Sequence, residues 1–221
     1  QQQLSKNGLP SDNCIGKIVL GSKSQTRQDI LREMGYEFEI LPANIDEKAI
    51  RCKSAHDLVL KLGHAKADAV EKEVASKHHH VKGRVFLITG DQVVVHEGRI
   101  LEKPESDEEA RAFIKGYSRS PPQTVGSVVL TDVRSGRRWA RVDTAKMFYR
   151  EIPDQIIDKL IEEGKIFHSA GGLRVEDPLV SPYIISIEGT KDSIMGLCKA
   201  DVKFVLREAL HNEKAVHDDN V

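Results

Sequence analysis

Cysteine is scarce: Cys14, Cys52 and Cys198 are odd in number, far apart, and never in CxxC spacing. That excludes a zinc ribbon, a thioredoxin-like redox pair and a disulfide framework, and implies reduced thiols in a cytoplasmic protein. Long apolar runs are also missing. None approaches the roughly 18 residues of a membrane span, so no membrane partner is expected. Residues 1–13 are polar and lack the apolar centre of a signal peptide. They are expected to form a flexible tail, as is the polar segment 212–221. Neither sign of charge dominates: 33 Lys and Arg face 34 Asp and Glu, a net charge of −1 with no long run of either sign. A nucleic-acid polymer, which needs a basic excess or stripe, is therefore not an expected partner. Any cationic site must be local, as a pocket for a small phosphate compound would be.

The 221-residue chain is long enough to bury one sizeable core, and with no repeat and no low-complexity linker, residues 14–211 read as a single two-lobed domain. Strand and helix patterns alternate at first, with a short strand over 38–41 ending before Pro42. Ser54 and Asp57 signal the start of a long helix to about Lys77, with Val59, Leu62, Lys66, Ala69 and Val70 on one face. The apolar run 85–89 is broken by Gly90-Asp91-Gln92 and resumes at Val93, and Glu97-Gly98 turns the chain. Ser106 and Glu109 cap a short helix after Lys103-Pro104. Residues 124–131 and 137–149 form two long strands around the Ser135-Gly136 turn. Pro153 opens a helix that stops at Gly164; residues 183–187 form a strand and 199–210 a closing helix. The mixture of crossovers with a long antiparallel pair predicts an α/β fold, a long twisted mixed sheet flanked by helices with a cleft between two lobes.

The apolar strand ending at Leu20 runs through Gly21-Ser22-Lys23-Ser24 straight into a helix that buries Ile30, Leu31 and Met34. Arg27 lies on that same face, four residues before Leu31 and seven before Met34. Two readings stand. Ser22, Ser24, the free N–H groups of a helix start and Arg27 can cradle a phosphate; equally, Ser24 can be an ordinary cap and Arg27 can reach solvent along its stem. Asp91 sits between two buried β runs, where a carboxylate must be paired, hydrogen-bonded or metal-bound unless it simply caps a turn. Asp46-Glu47 is either a solvated turn or a partner that shares Mg²⁺ with Asp91 through oxygen ligands. Lys66 interrupts an apolar stripe, and Lys103 supplies a cation after a strand. The run His78-His79-His80 reads as a surface loop, and Met147, Phe148 and Tyr149 as core and strand-edge residues.

Taken in order, these signals resemble the Maf family of nucleoside triphosphate pyrophosphatases. The matching residues are Ser22-x-Ser24-x-x-Arg27, Asp46-Glu47, Lys66-Ala67, Gly90-Asp91-Gln92, Lys103-Pro104, Ala170-Gly171-Gly172 and Met195-Gly196-Leu197, spread over residues 18–210. The resemblance implies hydrolysis of a nucleoside triphosphate between its α and β phosphates, a divalent metal (Mg²⁺ or Mn²⁺), and a homodimer. It assigns Ser22, Ser24 and Arg27 to phosphate binding, and Asp91, Glu47, Lys66 and Lys103 to catalysis. Asp91 is expected to act as general base, with Glu47 as its companion on the metal.

Base preference rests on Thr26, Gln92 and Glu176. Gln92 and Glu176 stand where the pyrimidine-preferring branch typically has Thr and Gln, and they resemble the branch that acts on 7-methyl-GTP. A carboxylate accepts from the guanine N1–H and N2–H₂ edge and favours a base made cationic by methylation. Thr26 matches neither branch, Gln25 replaces a common Pro, and Cys198 replaces the Pro that usually follows Gly-Leu. The alternatives are a dTTP/UTP pyrophosphatase of the same family, or a nucleotide-binding cell-division regulator without turnover.

Overall fold

The computed structural model describes residues 15–211, so Cys14 and both expected tails lie outside it. Among these residues the chain forms eight strands and six α-helices. β1 (Ile15–Leu20) leads through a tight turn into α1 (Gln25–Glu33), and β2 (Glu39–Ile40) follows. α2 (Ala55–Lys77) is the long helix; β3 (Arg84–Thr89), β4 (Gln92–His96) and β5 (Arg99–Leu101) come next. α3 (Asp107–Gly116) precedes the long pair β6 (Gln123–Asp132) and β7 (Arg138–Tyr149). α4 (Asp154–Glu163), β8 (Ile184–Glu188), α5 (Lys191–Ile194) and α6 (Lys199–His211) complete the chain.

All eight strands join one mixed sheet. β1 runs parallel to both β2 and β3, and the remaining pairings are antiparallel. β6 is the hinge of this topology. One of its edges carries β7 along nearly its whole length, while the other is shared end to end by β4, opposite residues 123–126, and β3, opposite residues 129–132. Gly90 and Asp91 fill the gap between β3 and β4. Ser127 N–H donates to the Asp91 carbonyl at 2.8 Å, so the ladder continues across the break.

Strand alternation sorts the core onto two faces. α2 covers one face: Ala67, Val70 and Val74 pack on Val19, Val85 and Leu87, and Leu58, Val59 and Leu62 on Val93 and Val125. On the other face, α1 and α6 bury Ile30, Leu31, Val202, Val205 and Leu206 against Ile18, Leu20, Phe86 and Ile88. The second lobe packs Ile114, Tyr117, Ile157 and Leu160 around Val94 and Met147. The open mixed α/β sheet flanked by helices is thus the expected one.

The caps at Ser24, Ser54 and Ser106 are present, each side chain accepting from the N–H three residues on. Gly164 ends α4 at φ 70°, and Met147 and Tyr149 are buried. Some details differ from expectation or had no signal of their own. The strand at 38–41 contracts to Glu39–Ile40, because Leu41 N–H makes its last bond to the Leu20 carbonyl and Pro42 has no N–H to offer. Ala69 is exposed at the margin of the α2 stripe, where a methyl group loses little by facing water. His78 is buried, not on a surface loop; it ends α2 and lies 3.4 Å from a Glu39 carboxylate oxygen. β8 begins one residue late, and α5 and β5 had no separate signal.

Candidate active site

The site forms where the sheet is interrupted. Gly90 approaches β6 so closely that a Cβ there would sit 2.1 Å from the Ser127 carbonyl oxygen, so only glycine fits. α2 is also close: a Cβ on Gly63 would lie 2.9 Å from Val129 Cγ2. Two sheet hydroxyls fasten the helix there, Ser127 Oγ donating to the Val59 carbonyl at 2.7 Å and Thr89 Oγ1 to the Gly63 carbonyl at 2.8 Å. Ser127 Oγ also accepts from Asp91 N–H at 3.1 Å. Lys66, one turn beyond Gly63, is thereby held over the break.

Lys66 Nζ lies 2.8 Å from Asp91 Oδ1 and 2.9 Å from Glu47 Oε1. One ammonium thus joins two carboxylates brought from separate loops. Glu47 reaches it from a single 3₁₀ turn capped by Asp46, whose side chain accepts from the Lys48 and Ala49 N–H groups. Asp46 is therefore the turn's cap, and Glu47 the partner in the site. Burial by itself would raise the Glu47 carboxyl, but the Lys66 hydrogen bond and charge, with Lys103 and Arg27 nearby, hold it below the ordinary carboxylate range.

Arg27 is buried, with 9% of its surface exposed. Its Nε donates to the Gly196 carbonyl at 2.9 Å, and its Nη1 to the Gly90 carbonyl at 3.0 Å and Ser22 Oγ at 3.4 Å. Among the described residues it meets no carboxylate directly. Burial pushes the guanidinium below its usual range, opposed by the charges of Asp91 and Glu47. A guanidinium stays protonated at any working pH, so the unmet demand is for a negative charge. Both readings of the first loop hold in part: Ser24 caps α1, its Oγ 2.9 Å from Thr26 Oγ1, while Arg27 turns inward.

Gly196 has φ 106°, and a Cβ there would lie 3.4 Å from Arg27 Nε. Glycine at this place lets the carbonyl turn onto the guanidinium. Met195-Gly196-Leu197 drew attention as a motif; its contact with Arg27 spans 169 residues of sequence and has no local signal.

The remaining residues gather less closely. Lys103 is exposed on the wall of an adjoining cleft of about 410 Å³, together with Lys48, Arg51, Arg99 and Phe113. Gln92 alternates to the face opposite Asp91 and donates from Nε2 to the Ser193 carbonyl at 2.7 Å. Glu176 is not a free carboxylate, since Arg174 Nη2 lies 3.0 Å from its Oε1. Residues missed by sequence reasoning are Gly63, Thr89 and Ser127, whose importance lies in how close two backbones come.

An open mixed sheet whose break gathers two carboxylates, a lysine and a buried arginine defines an α/β protein that handles a small polyanion. Residues 17–209 match the family model for Maf-like protein, and the chain belongs to that family. It is 35% identical over 191 residues to the 7-methyl-GTP pyrophosphatase of Dictyostelium discoideum, covering 86% of this chain and 96% of the relative. It is 30% identical to the dTTP/UTP pyrophosphatase of Acetivibrio thermocellus, covering 82% and 89% of the two chains. Identity is also 30% with the dTTP/UTP pyrophosphatase of Carboxydothermus hydrogenoformans, covering 87% and 98%.

Proposed function

We propose that this chain hydrolyses a nucleoside triphosphate to the monophosphate and pyrophosphate, with 7-methyl-GTP or another modified nucleotide as substrate. The observation that carries the reading is the Lys66 bridge between Asp91 and Glu47, set beside a buried arginine that meets no carboxylate among the described residues. Family membership supports the same chemistry.

Three cations, Arg27, Lys66 and Lys103, surround two carboxylates, leaving room for the charge of a triphosphate. Arg27 binds a phosphate oxygen through its Nη2 hydrogens, which have no protein acceptor among the described residues. Ser22 and the α1 N-terminus lie beside it. Asp91 takes a proton from water as the water oxygen bonds to the α-phosphorus, and pyrophosphate leaves with the bridging oxygen. Lys66 holds Asp91 and Glu47 in place and screens the incoming charge.

The donor set suits Mg²⁺ or Mn²⁺. Asp91 and Glu47 are oxygen ligands, each giving one oxygen to Lys66, while Asp91 Oδ2 and Glu47 Oε2 accept no hydrogen bond from the described residues. When held there, the ion neutralises phosphate charge and lowers the pKa of water.

Glu176 and Gln92 are the residues proposed to choose the base, with Thr26 at the mouth of the first loop. Glu176 accepts from the guanine edge, sharing its charge with Arg174. That sharing, and the dTTP/UTP relatives, favour a second reading in which a pyrimidine nucleotide is the substrate. The family resemblance also supports a homodimer in the cytoplasm, which sedimentation and cell fractionation test. No helix among the described residues is long and apolar enough to cross a membrane.

The test is pyrophosphate release from 7-methyl-GTP, GTP, UTP, dTTP, CTP and ATP with Mg²⁺ or Mn²⁺, with Asp91→Asn and Glu176→Gln alongside. The reading expects 7-methyl-GTP to be preferred, activity lost in Asp91→Asn, and preference weakened in Glu176→Gln. Preference for UTP or dTTP keeps the chemistry and overturns the base assignment. Saturable binding without turnover of any nucleotide replaces the enzyme with a nucleotide-binding regulator.

A further inference from the structure

Behind the sheet break, on the face opposite Asp91, lies a polar group that the proposed hydrolysis does not use. Asp143 on β7, Cys198 just before α6, and Asp201 in the first turn of α6 each point one ligand atom inward, and these atoms lie within 4.8 Å of one another. The sheet sets Asp143 in place: Gln92, Gly126 and Asp143 form one row across β4, β6 and β7. Gly126 makes the row open, since a Cβ there would lie 3.4 Å from Asp143 Oδ1.

Asp201 is the second, independent indication. Its side chain is nine-tenths buried, with 10% exposed, and its Oδ2 has neither a hydrogen-bond partner nor access to water. Its Oδ1 has only a long contact, 3.3 Å from Arg141 Nε. A buried carboxylate oxygen without a partner pays its desolvation in full, so a ligand is called for. Cys198 is buried too and caps α6, its carbonyl accepting from Val202 N–H at 3.0 Å.

We propose that Asp143, Cys198 and Asp201 bind a thiophilic divalent cation of the Zn²⁺ class, one that is distinct from the ion at Asp91. A thiolate with two carboxylates selects Zn²⁺ or Co²⁺ over Mg²⁺, whose preference is for oxygen alone. Tetrahedral bonds of about 2.0–2.3 Å place ligand atoms about 3.5 Å apart, so the three must draw together slightly on binding. Binding displaces the thiol proton to solvent, which makes affinity rise with pH.

The site's position gives it a structural task. Ser193, in α5, accepts from Gln92 at its carbonyl, and Gly196 accepts from Arg27, so the segment between α5 and α6 carries both contacts. A cation on Cys198 ties that segment to β7 and thereby steadies Arg27 from behind.

The experiment is titration of the metal-free, reduced full chain with Co²⁺, followed by thiolate-to-cobalt charge-transfer absorption in the near ultraviolet. One equivalent with this absorption is expected, displaced by Zn²⁺, abolished in Cys198→Ser and weakened at least tenfold in Asp201→Asn. Asp91→Asn must retain it, which separates this site from the proposed hydrolytic one. Absence of the absorption in folded wild type, or its persistence in Cys198→Ser, overturns the proposal.

Discussion

Lys66 Nζ stands 2.8 Å from Asp91 Oδ1, although the two residues come from the middle of a helix and from a strand break. The same nitrogen reaches Glu47, so the ammonium is the charge in direct contact with both carboxylates and offsets their mutual repulsion. Replacing it with methionine keeps the stem's volume and removes the charge. Lys66→Met is expected to lower kcat/KM for the best nucleotide by about 10- to 150-fold, equal to about 1.5–3 kcal/mol for a lost charge-assisted contact. Steady-state kinetics, with circular dichroism to confirm the fold, check this. Unchanged kcat/KM would remove Lys66 from the machinery.

The Glu47 carboxyl gives a pH test of the same contact. Its folded pKa is held down, so its stabilising contribution is present above the unfolded value and is lost as pH falls through the folded one. The Glu47 carboxyl resonance, followed by carbon NMR, is expected to titrate below the ordinary glutamate range. In Lys66→Met the midpoint should move up, because burial then acts with only Lys103 and Arg27 against it. A midpoint that ignores the substitution would mean that the bridge does not persist in solution.

Gly90→Ala tests the break itself. The added methyl would meet the Ser127 carbonyl at 2.1 Å, and backbone rather than a flexible side chain must yield. Overpacking of this kind costs typically about 1–3 kcal/mol and sometimes more. It also displaces the Gly90 carbonyl that receives Arg27, so activity should fall with stability. Gly98 is the control: its φ is 75° but open space surrounds it, so Gly98→Asn, which tolerates the left-handed region, should change stability by less than about 1 kcal/mol. Urea unfolding of both variants decides the matter.

The helices were legible because their signals are local: Ser54 with Asp57 marks the start of α2, and Gly164 the end of α4. The long hairpin was equally plain, since two long runs rich in β-branched and aromatic residues flank Ser135-Gly136. Arg27, Lys66 and Asp91 stood out as charges set among apolar residues, and the structure brings all three to one break. What could not be read was closeness between distant backbones. Gly63 and Ser127 look like ordinary small residues until the helix lies on the strand, and the His78 partner is a carboxylate 39 residues earlier in the chain. Ion pairing of Glu176 with Arg174 was also hidden, because a loop sequence does not say which of its charges meet.

A buried ion pair at the far end of β3 and β6 separates stability from catalysis. Arg84 Nη2 lies 2.7 Å from Asp132 Oδ2, with side-chain exposures of 11% and 6%, and its guanidinium also lies over the Phe86 ring, 4.8 Å from its centroid. Removing one partner strands the other charge in the interior, at a cost of about 3–5 kcal/mol. For a chain of this size that corresponds to a fall in Tm of about 6–20 °C. Arg84→Met should show this loss by calorimetry, while kcat and KM, measured where the variant remains folded, stay near wild type. The double variant Arg84→Met/Asp132→Leu should recover much of the stability, because an apolar pair needs no compensating charge. A double variant no better than the single one would mean that Arg84 stabilises through its contacts with Phe86 and the Ala209 carbonyl, and that the ion pair contributes little.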